Sequence, residues 1–572
     1  MPLEFQLLFD SYFPPAFRLL AVLLLIAWFW PLAANRLFAA IERAACRLAA
    51  RRSAAIFVVF LLLAGLRLAL LPVDRIPVPA VHDEFSYLLA ADTYAHFRLT
   101  NPPHALPIYF EAAHVNMLPT YMSKYPPAQG MALAVGQWLG DPWFGVLLSV
   151  AAMCAAITWM LQGWIPARWA LLAGLLAVAR FIAGSTYEIN YWLESYWGGA
   201  VAACGGALAL GALPRWMRRR RALDAILLGL GVAILANSRP YEGLIFCLPL
   251  AAVLAWWLFR SSRTPALARW KSLAPVAAVL VLTGAFMACN NWRVTGNALL
   301  FPYVVNDRVY LSTPPFAWQK LEPPRPLSNP QMDAFFNGWC RTVWKRERFT
   351  WTWDGIEWGL LRKLRSLQAF YLPIGFLLPI ALAWRRLLRN RKAQFLFAVC
   401  AFTALGMVPI VWFQPHYAAP MTGALIGLTV IAMRYLRLWR PNGRAVGIGL
   451  TRALVLFLLL LVPMNILPIR MGRSIHTSTP VWAADRAIIA SDLERMPGQQ
   501  LVLVRYSPKH DPDEQWVNNP ADIDAAKVVW AQDLPGRNLQ PLLDYFRGRT
   551  FWLLAVDSHP IRLRPYTPPR PP

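Results

Sequence analysis

Apolar runs long enough to cross a bilayer recur along this chain, and that feature excludes most architectures. A helix crossing the hydrocarbon core needs about 20 mostly apolar residues. Runs of that kind are centred near residues 25, 62, 151, 176, 205, 230, 250, 280, 378, 403, 426 and 456. The whole chain is 57% hydrophobic and only 15% charged, too apolar for a soluble enzyme of 572 residues. The expected fold class is therefore an α-helical polytopic membrane protein with about twelve transmembrane helices. The first run, 17–34, lacks a basic leader and a small-residue cleavage site, and reads as a retained span.

The formal net charge of +26 would also fit a nucleic-acid-binding protein, but such partners need basic residues gathered on a water-facing patch. Here they fall in short runs between spans, at 36–52, 215–221, 260–271, 385–392 and 434–444. Each run follows an odd-numbered span, so one topology with the amino terminus outside places all five on the cytoplasmic side. No nucleic-acid partner is expected. The long segments 73–142, 290–369 and 466–572 then lie outside, with short hairpins at 187–196 and 237–243. Arg341, Lys345, Arg346, Arg348, Arg362, Lys363 and Arg365 also fall outside. Their loop is longer than the roughly 60 residues over which the charge rule operates.

The carboxy-terminal stretch differs in kind. Residues 501–507 and 550–556 read as strands, whereas 481–496 and 538–546 read as helices. The expected division is a membrane part, 1–465, and a small extramembrane α/β domain, 466–572, with a Pro-rich tail from Pro565. Seven scattered cysteines supply neither a disulfide framework nor a CxxC site.

The loop 73–142 concentrates the titratable groups: His82, Asp83, Glu84, Asp92, Glu111, Lys124 and four of the eight histidines. Residues 85–97 have helical spacing with aromatics suited to the headgroup layer. Moving a sugar off a membrane-bound phosphate carrier needs a carboxylate base for the acceptor hydroxyl and a cation for the leaving phosphate. Asp83 and Lys124, the latter followed by Tyr125 and the rigid Pro126-Pro127 pair, supply one of each. The same residues also read as a helix N-cap before Phe85 and as a lysine snorkelling at the interface. His82, His96, His104 and His114 show no ligand spacing such as HExxH, which leaves His82 and Asp83 as weak metal candidates.

Taken in order, Asp83-Glu84, Tyr87, Tyr109-Phe110-Glu111 and Lys124-Tyr125-Pro126-Pro127 resemble the first periplasmic loop of the GT-C superfamily of membrane glycosyltransferases. The resemblance is to the branch containing protein O-mannosyltransferases and the aminoarabinose transferase of lipid A. It covers roughly the first half of the chain. Tyr125 between Lys124 and Pro126, and an insertion between Glu111 and Lys124, depart from the family pattern.

The resemblance implies transfer from a polyprenyl-phosphate-linked donor to an acceptor hydroxyl on a glycan, lipid or protein, by direct displacement with inversion. It implies Asp83, Glu84 and Glu194 (with Glu188 as the alternative to Glu194) as catalytic groups. Lys124, His416, Tyr417, Arg239 and Arg293 would meet the donor phosphate, and Tyr87, Glu111 and Tyr125 the substrate. No cofactor is required by it, although some relatives use a divalent metal. A basic inner face and compact loops suit a bacterial plasma (inner) membrane, with the active site and carboxy-terminal domain extracytoplasmic. Two other classes share the same coarse features. A transporter or flippase would carry charges within its spans and paired half-repeats, and an envelope-glycan ligase or polymerase would rely on a large late loop such as 290–369.

Overall fold

Leucine- and alanine-rich runs with few internal breakers form helices here, and their length decides which can cross lipid. The computed structural model describes residues 2–182, 191–260, 266–470, 479–558 and 560–567. Among them seven helices are long and apolar enough to cross a membrane: Arg52–Leu70, Pro142–Leu161, Ala200–Arg219, Pro240–Arg260, Arg269–Thr295, Pro415–Leu436 and Val446–Met464. A pair bent by 102°, Trp353–Tyr371 and Ile374–Leu387, adds an eighth if it counts as one span. The chain is thus a multi-pass membrane protein, with seven or eight of the expected twelve spans met by helices of that length among the described residues. Helices also stand at the other four positions: Pro2–Phe29 (whose apolar part is Pro15–Phe29), Ala167–Ile182, Ala222–Ser238 and Arg391–Met407.

Burial separates the centre of the bundle from its rim. Pro415–Leu436 has 89% of its apolar window buried, whereas Arg269–Thr295 has 6%, so the latter turns nearly all its apolar surface towards lipid. Close packing at the centre depends on small residues. A Cβ at Gly206 would lie 2.1 Å from the Pro420 carbonyl oxygen, so glycine there lets the helix Ala200–Arg219 seat the segment Pro415–Met421.

The first loop carries the helix His82–Ala95 and a two-stranded antiparallel ribbon, β1 (Val115–Asn116) and β2 (Met122–Ser123). The carboxy-terminal residues form a sheet of β3 (Gln500–Arg505), β4 (Val528–Gln532), β5 (Thr550–Ala555) and β6 (Arg562–Pro565), in the order β4-β3-β5-β6. β3 runs parallel to both neighbours and β6 runs antiparallel to β5. β3 and β5 lie where the sequence reads as strands, and β4 and β6 are additions to that reading.

Both faces of β3 are buried, as expected for a central parallel strand. Val502 and Val504 face Trp482 and Leu493 of the helix Val481–Arg495. Leu501 and Leu503 instead pack with Tyr109, Phe110, Val115 and Tyr121 of the first loop. The carboxy-terminal sheet therefore completes its core with residues that lie hundreds of positions away in the chain.

Of the basic residues expected on the outer side, Arg341, Arg362 and Arg365 are held within their own loop, while Lys363 reaches beyond it. Arg341 donates to Ser312 Oγ at 2.8 Å and to the Glu322 carbonyl at 2.7 Å. Arg362 pairs with Glu347 at 2.5 Å and Arg365 with Glu357 at 2.6 Å. The Lys363 ammonium donates to the carbonyls of Val408 and Ile410.

Candidate active site

Two adjacent carboxylates in the first loop have opposite fates. The helix begins at His82 rather than near Phe85, because Glu84 in its first turn reaches back to the chain entering it. Glu84 Oε2 accepts from the backbone N–H of Ala80 at 2.7 Å and of Val81 at 3.1 Å, and Oε1 accepts from Tyr196 N–H at 2.9 Å. Burial pushes its carboxyl up to about 7 against the pull of these hydrogen bonds. Glu84, expected as a catalytic group, is committed to backbone and ties the first loop to residues 191–199.

Asp83 makes no cap hydrogen bond. Its Oδ1 accepts from the Tyr125 hydroxyl, and 31% of its side chain stays exposed. Burial among neighbouring groups raises its pKa, while the charges of His82, Lys124 and Arg239 lower it. Tyr125, the residue that departs from the family pattern, is what orients Asp83. Its ring stacks on Tyr87 with centroids 4.5 Å apart.

The ribbon β1–β2 fixes the cation. Lys124 N–H donates to the His114 carbonyl at 3.1 Å, and its ammonium lies 3.7 Å from Asp307 Oδ1. With 13% of its side chain exposed, Lys124 does not snorkel into solvent. It lines a narrow cleft together with Tyr125, Asn237, Asn290, Asn291 and Tyr303. The carboxamide oxygens of Asn237 and Asn290 are buried there without a hydrogen-bond partner. Arg239 stands beside this wall, its guanidinium 4.3 Å from the centre of the Tyr417 ring.

Other expected residues are placed elsewhere. His416 is buried, with Nδ1 2.5 Å from the Tyr191 hydroxyl and its own N–H donating to the same oxygen at 3.2 Å. It braces the wall that carries Tyr417 and Arg239. Arg293 is exposed in the last turn of Ala274–Thr295, whose Asn290 and Asn291 turn inward instead. Glu111 accepts from Tyr310 at 3.1 Å, and its carbonyl accepts from Gln532 at 2.9 Å. Burial raises its pKa, and it joins the late loop to the carboxy-terminal sheet rather than lining the cleft.

Glu194 lies 3.2 Å from the Arg67 guanidinium, which is fully buried and also 3.6 Å from Asp74. The structure thus makes Glu194 a counter-ion for Arg67. Breaking a buried pair leaves an uncompensated charge, so Glu194→Ala should lower unfolding stability by about 3–5 kcal/mol, read as a drop in the denaturation midpoint in detergent. Lost transfer at an unchanged midpoint would return Glu194 to the chemistry. Glu188 lies outside the described residues.

Three residues join the site without having been singled out for it. His114 lies with Nε2 3.9 Å from Asp83 Oδ1, and Asp307 holds Lys124. Asp513 Oδ1 lies 3.2 Å from His82 Nε2. Burial, the Lys124 charge and His82 keep His114 neutral, well below the usual imidazole range. His82, Asp83 and His114 bring one ligand atom each to within 4.8 Å of one another. No spacing in the sequence marks this trio, but the positive backbone φ of 64° at His114, uncommon for a non-glycine residue, shows a constrained turn.

No protein-family model and no curated protein matches the chain. Solved structures align at low identity. ArnT from Cupriavidus metallidurans in the apo state aligns over 90% of this chain and 93% of its own, with TM-score 0.48 and 12% identity. The same protein bound to undecaprenyl phosphate aligns over 88% and 92%, at 0.46 and 13%. The Archaeoglobus fulgidus oligosaccharyltransferase tethered with an acceptor peptide aligns over 87% and 69%, at 0.45 and 13%. Both proteins are of the superfamily that the first-loop motifs resemble. At TM-scores under 0.5 these likenesses carry no argument about this chain.

Proposed function

We propose that the chain is a membrane glycosyltransferase that moves a sugar from a polyprenyl-phosphate donor to an acceptor hydroxyl. The observation that carries this reading is one half-open carboxylate, Asp83, oriented by Tyr125 and acted on by the charges of Lys124 and Arg239. In this reading Asp83 takes the proton of the acceptor hydroxyl as its oxygen bonds to the anomeric carbon. The bond from that carbon to the phosphate oxygen breaks, and the departing phosphate keeps the electron pair beside Lys124 and Arg239. Attack opposite the leaving group inverts the anomeric centre.

The unpartnered Asn237 and Asn290 oxygens suit sugar hydroxyls, which are hydrogen-bond donors. Arg269–Thr295, open to lipid along its length and contributing Asn290 and Asn291 to the cleft, offers the polyprenyl tail a route beside the phosphate site. The reading requires no cofactor. It places the reaction on the outer face of a bacterial plasma membrane, where the acceptor is a glycan, lipid or protein.

The test is to incubate the purified protein in lipid with radiolabelled polyprenyl-phosphate sugars and membrane extract. Label should leave the lipid for a second molecule; no release from any donor tried would overturn the reading. Lys124→Ala should weaken retention of labelled donor about tenfold or more, the scale of a lost charge-assisted contact. Unchanged retention would reduce Lys124 to a partner of Asp307.

A further inference from the structure

The helix Asn35–Ala50 follows the apolar helix that ends at Phe29 and leads into the span Arg52–Leu70, so it stands at the opposite end of that span from the first loop. Between residues 35 and 52 the chain has five arginines and one acid, Glu42. That acid is engaged on the inner side of the helix. Glu42 pairs with Arg437 at 2.8 Å and with Arg452 at 3.0 Å, and the Arg452 guanidinium lies 5.0 Å from the centre of the Phe38 ring. Ala49, on the same face, is buried.

At 3.6 residues per turn the outer side divides into two neighbouring rows. Leu37 and Ile41, 61% and 56% exposed, form one. Arg36, Arg43 and Arg47 lie exposed along the other, and among the described residues their side chains form no ion pair or hydrogen bond. The protein therefore supplies neither an apolar cover for the first row nor a counter-charge for the second. An apolar row beside a basic row suits the boundary between acyl chains and headgroups. The adjoining span Arg52–Leu70 is itself turned to lipid, with only 22% of its apolar window buried, so the surface is continuous with one that a bilayer already covers.

We propose that the outer face of the helix Asn35–Ala50 is a docking surface for anionic phospholipid. Leu37 and Ile41 enter the acyl-chain boundary, and the three guanidiniums lie at headgroup level. Arg43 and Arg47, one helical turn apart, close on a phosphate between them, since guanidinium N–H groups donate in pairs to phosphate oxygens. A zwitterionic headgroup brings its own cation and leaves the arginine row without net compensation, so the surface selects lipids by charge. With the inner face held by Arg437 and Arg452, such a lipid fastens the end of the bundle remote from Asp83 to the headgroup layer.

The experiment uses the full chain with a bimane label at Ile41→Cys, Cys46→Ser and Cys289→Ser having removed the two exposed cysteines. It is reconstituted in phosphatidylcholine vesicles containing increasing shares of brominated phosphatidylglycerol or of brominated phosphatidylcholine, whose bromines quench the label on contact. Half-quenching should need a several-fold smaller share of the anionic lipid. Adding Arg43→Gln and Arg47→Gln should remove most of that preference, each arginine near an anionic surface being worth about fivefold. Added salt should shrink the preference in the labelled chain that keeps both arginines, a readout that holds even if the arginine variant fails to fold. Equal quenching by the two lipids overturns the selectivity. Quenching by neither puts the face in water or under a protein and overturns the docking surface, and a preference that survives both substitutions overturns the role of the arginines. None of these readouts uses sugar transfer, so they stand apart from the proposed activity.

Discussion

Asp83→Asn should insert and fold as wild type does while sugar transfer falls by a factor of about 10²–10⁴, the range for losing a positioned general base. The fold should survive because Asp83 caps nothing and stays 31% exposed. The hydrogen bond from the Tyr125 hydroxyl can pass to the asparagine carbonyl. What disappears is the carboxylate able to take a proton. The measurement pairs the rate of label release with a thermal midpoint on the same preparation. Transfer comparable to wild type would end the assignment of Asp83 as base, and a collapsed midpoint would move it to the structural groups.

The neighbouring substitution should do the reverse. Glu84→Ala removes the acceptor for three backbone N–H groups, those of Ala80, Val81 and Tyr196. An unsatisfied buried donor costs about 1–3 kcal/mol, so the loss should be on the order of 3 kcal/mol or more. A large fall in the detergent midpoint is expected, with activity lost in proportion to folded protein. Glu84→Gln, which keeps an acceptor oxygen, should fall less. An unchanged midpoint in Glu84→Ala with transfer abolished would place Glu84 in the chemistry beside Asp83. Two adjacent acids, one change sparing the fold and the other breaking it, would separate base from brace.

Asp83 and Lys124 could be singled out together because both lie in one loop and their chemistry is complementary, but that the Lys124 ammonium would lie against Asp307 was not legible. That Glu84 rather than Asp83 would hold the start of the helix was not legible. It turned on whether Glu84, in the first turn, would reach back to Ala80 and Val81, and on where the Tyr125 hydroxyl would come to rest. Glu194 stood out as an acid among aromatics near a span end, a pattern shared by functional groups and by counter-ions. Only its proximity to Arg67, in the helix Arg52–Leu70, distinguishes the two. Arg239 and Tyr417 come together at 4.3 Å from opposite halves of the chain, while Arg293 ends on an exposed face for want of any signal in sequence to orient its helix.

What the sequence by itself determined is what depends on local physics. Long apolar runs set the helices and their membrane environment, short apolar runs marked β3 and β5, and the crowding of titratable residues marked the first loop. Tertiary structure alone decided which helices lie at the centre of the bundle, as Pro415–Leu436 does, and which turn to lipid, as Arg269–Thr295 does. It also decided that the second face of the carboxy-terminal sheet is covered by the first loop, and that Asp513 arrives beside His82. These outcomes depend on contacts between segments hundreds of residues apart, whose burial and partners are set by packing in three dimensions and leave no periodicity or spacing along the chain.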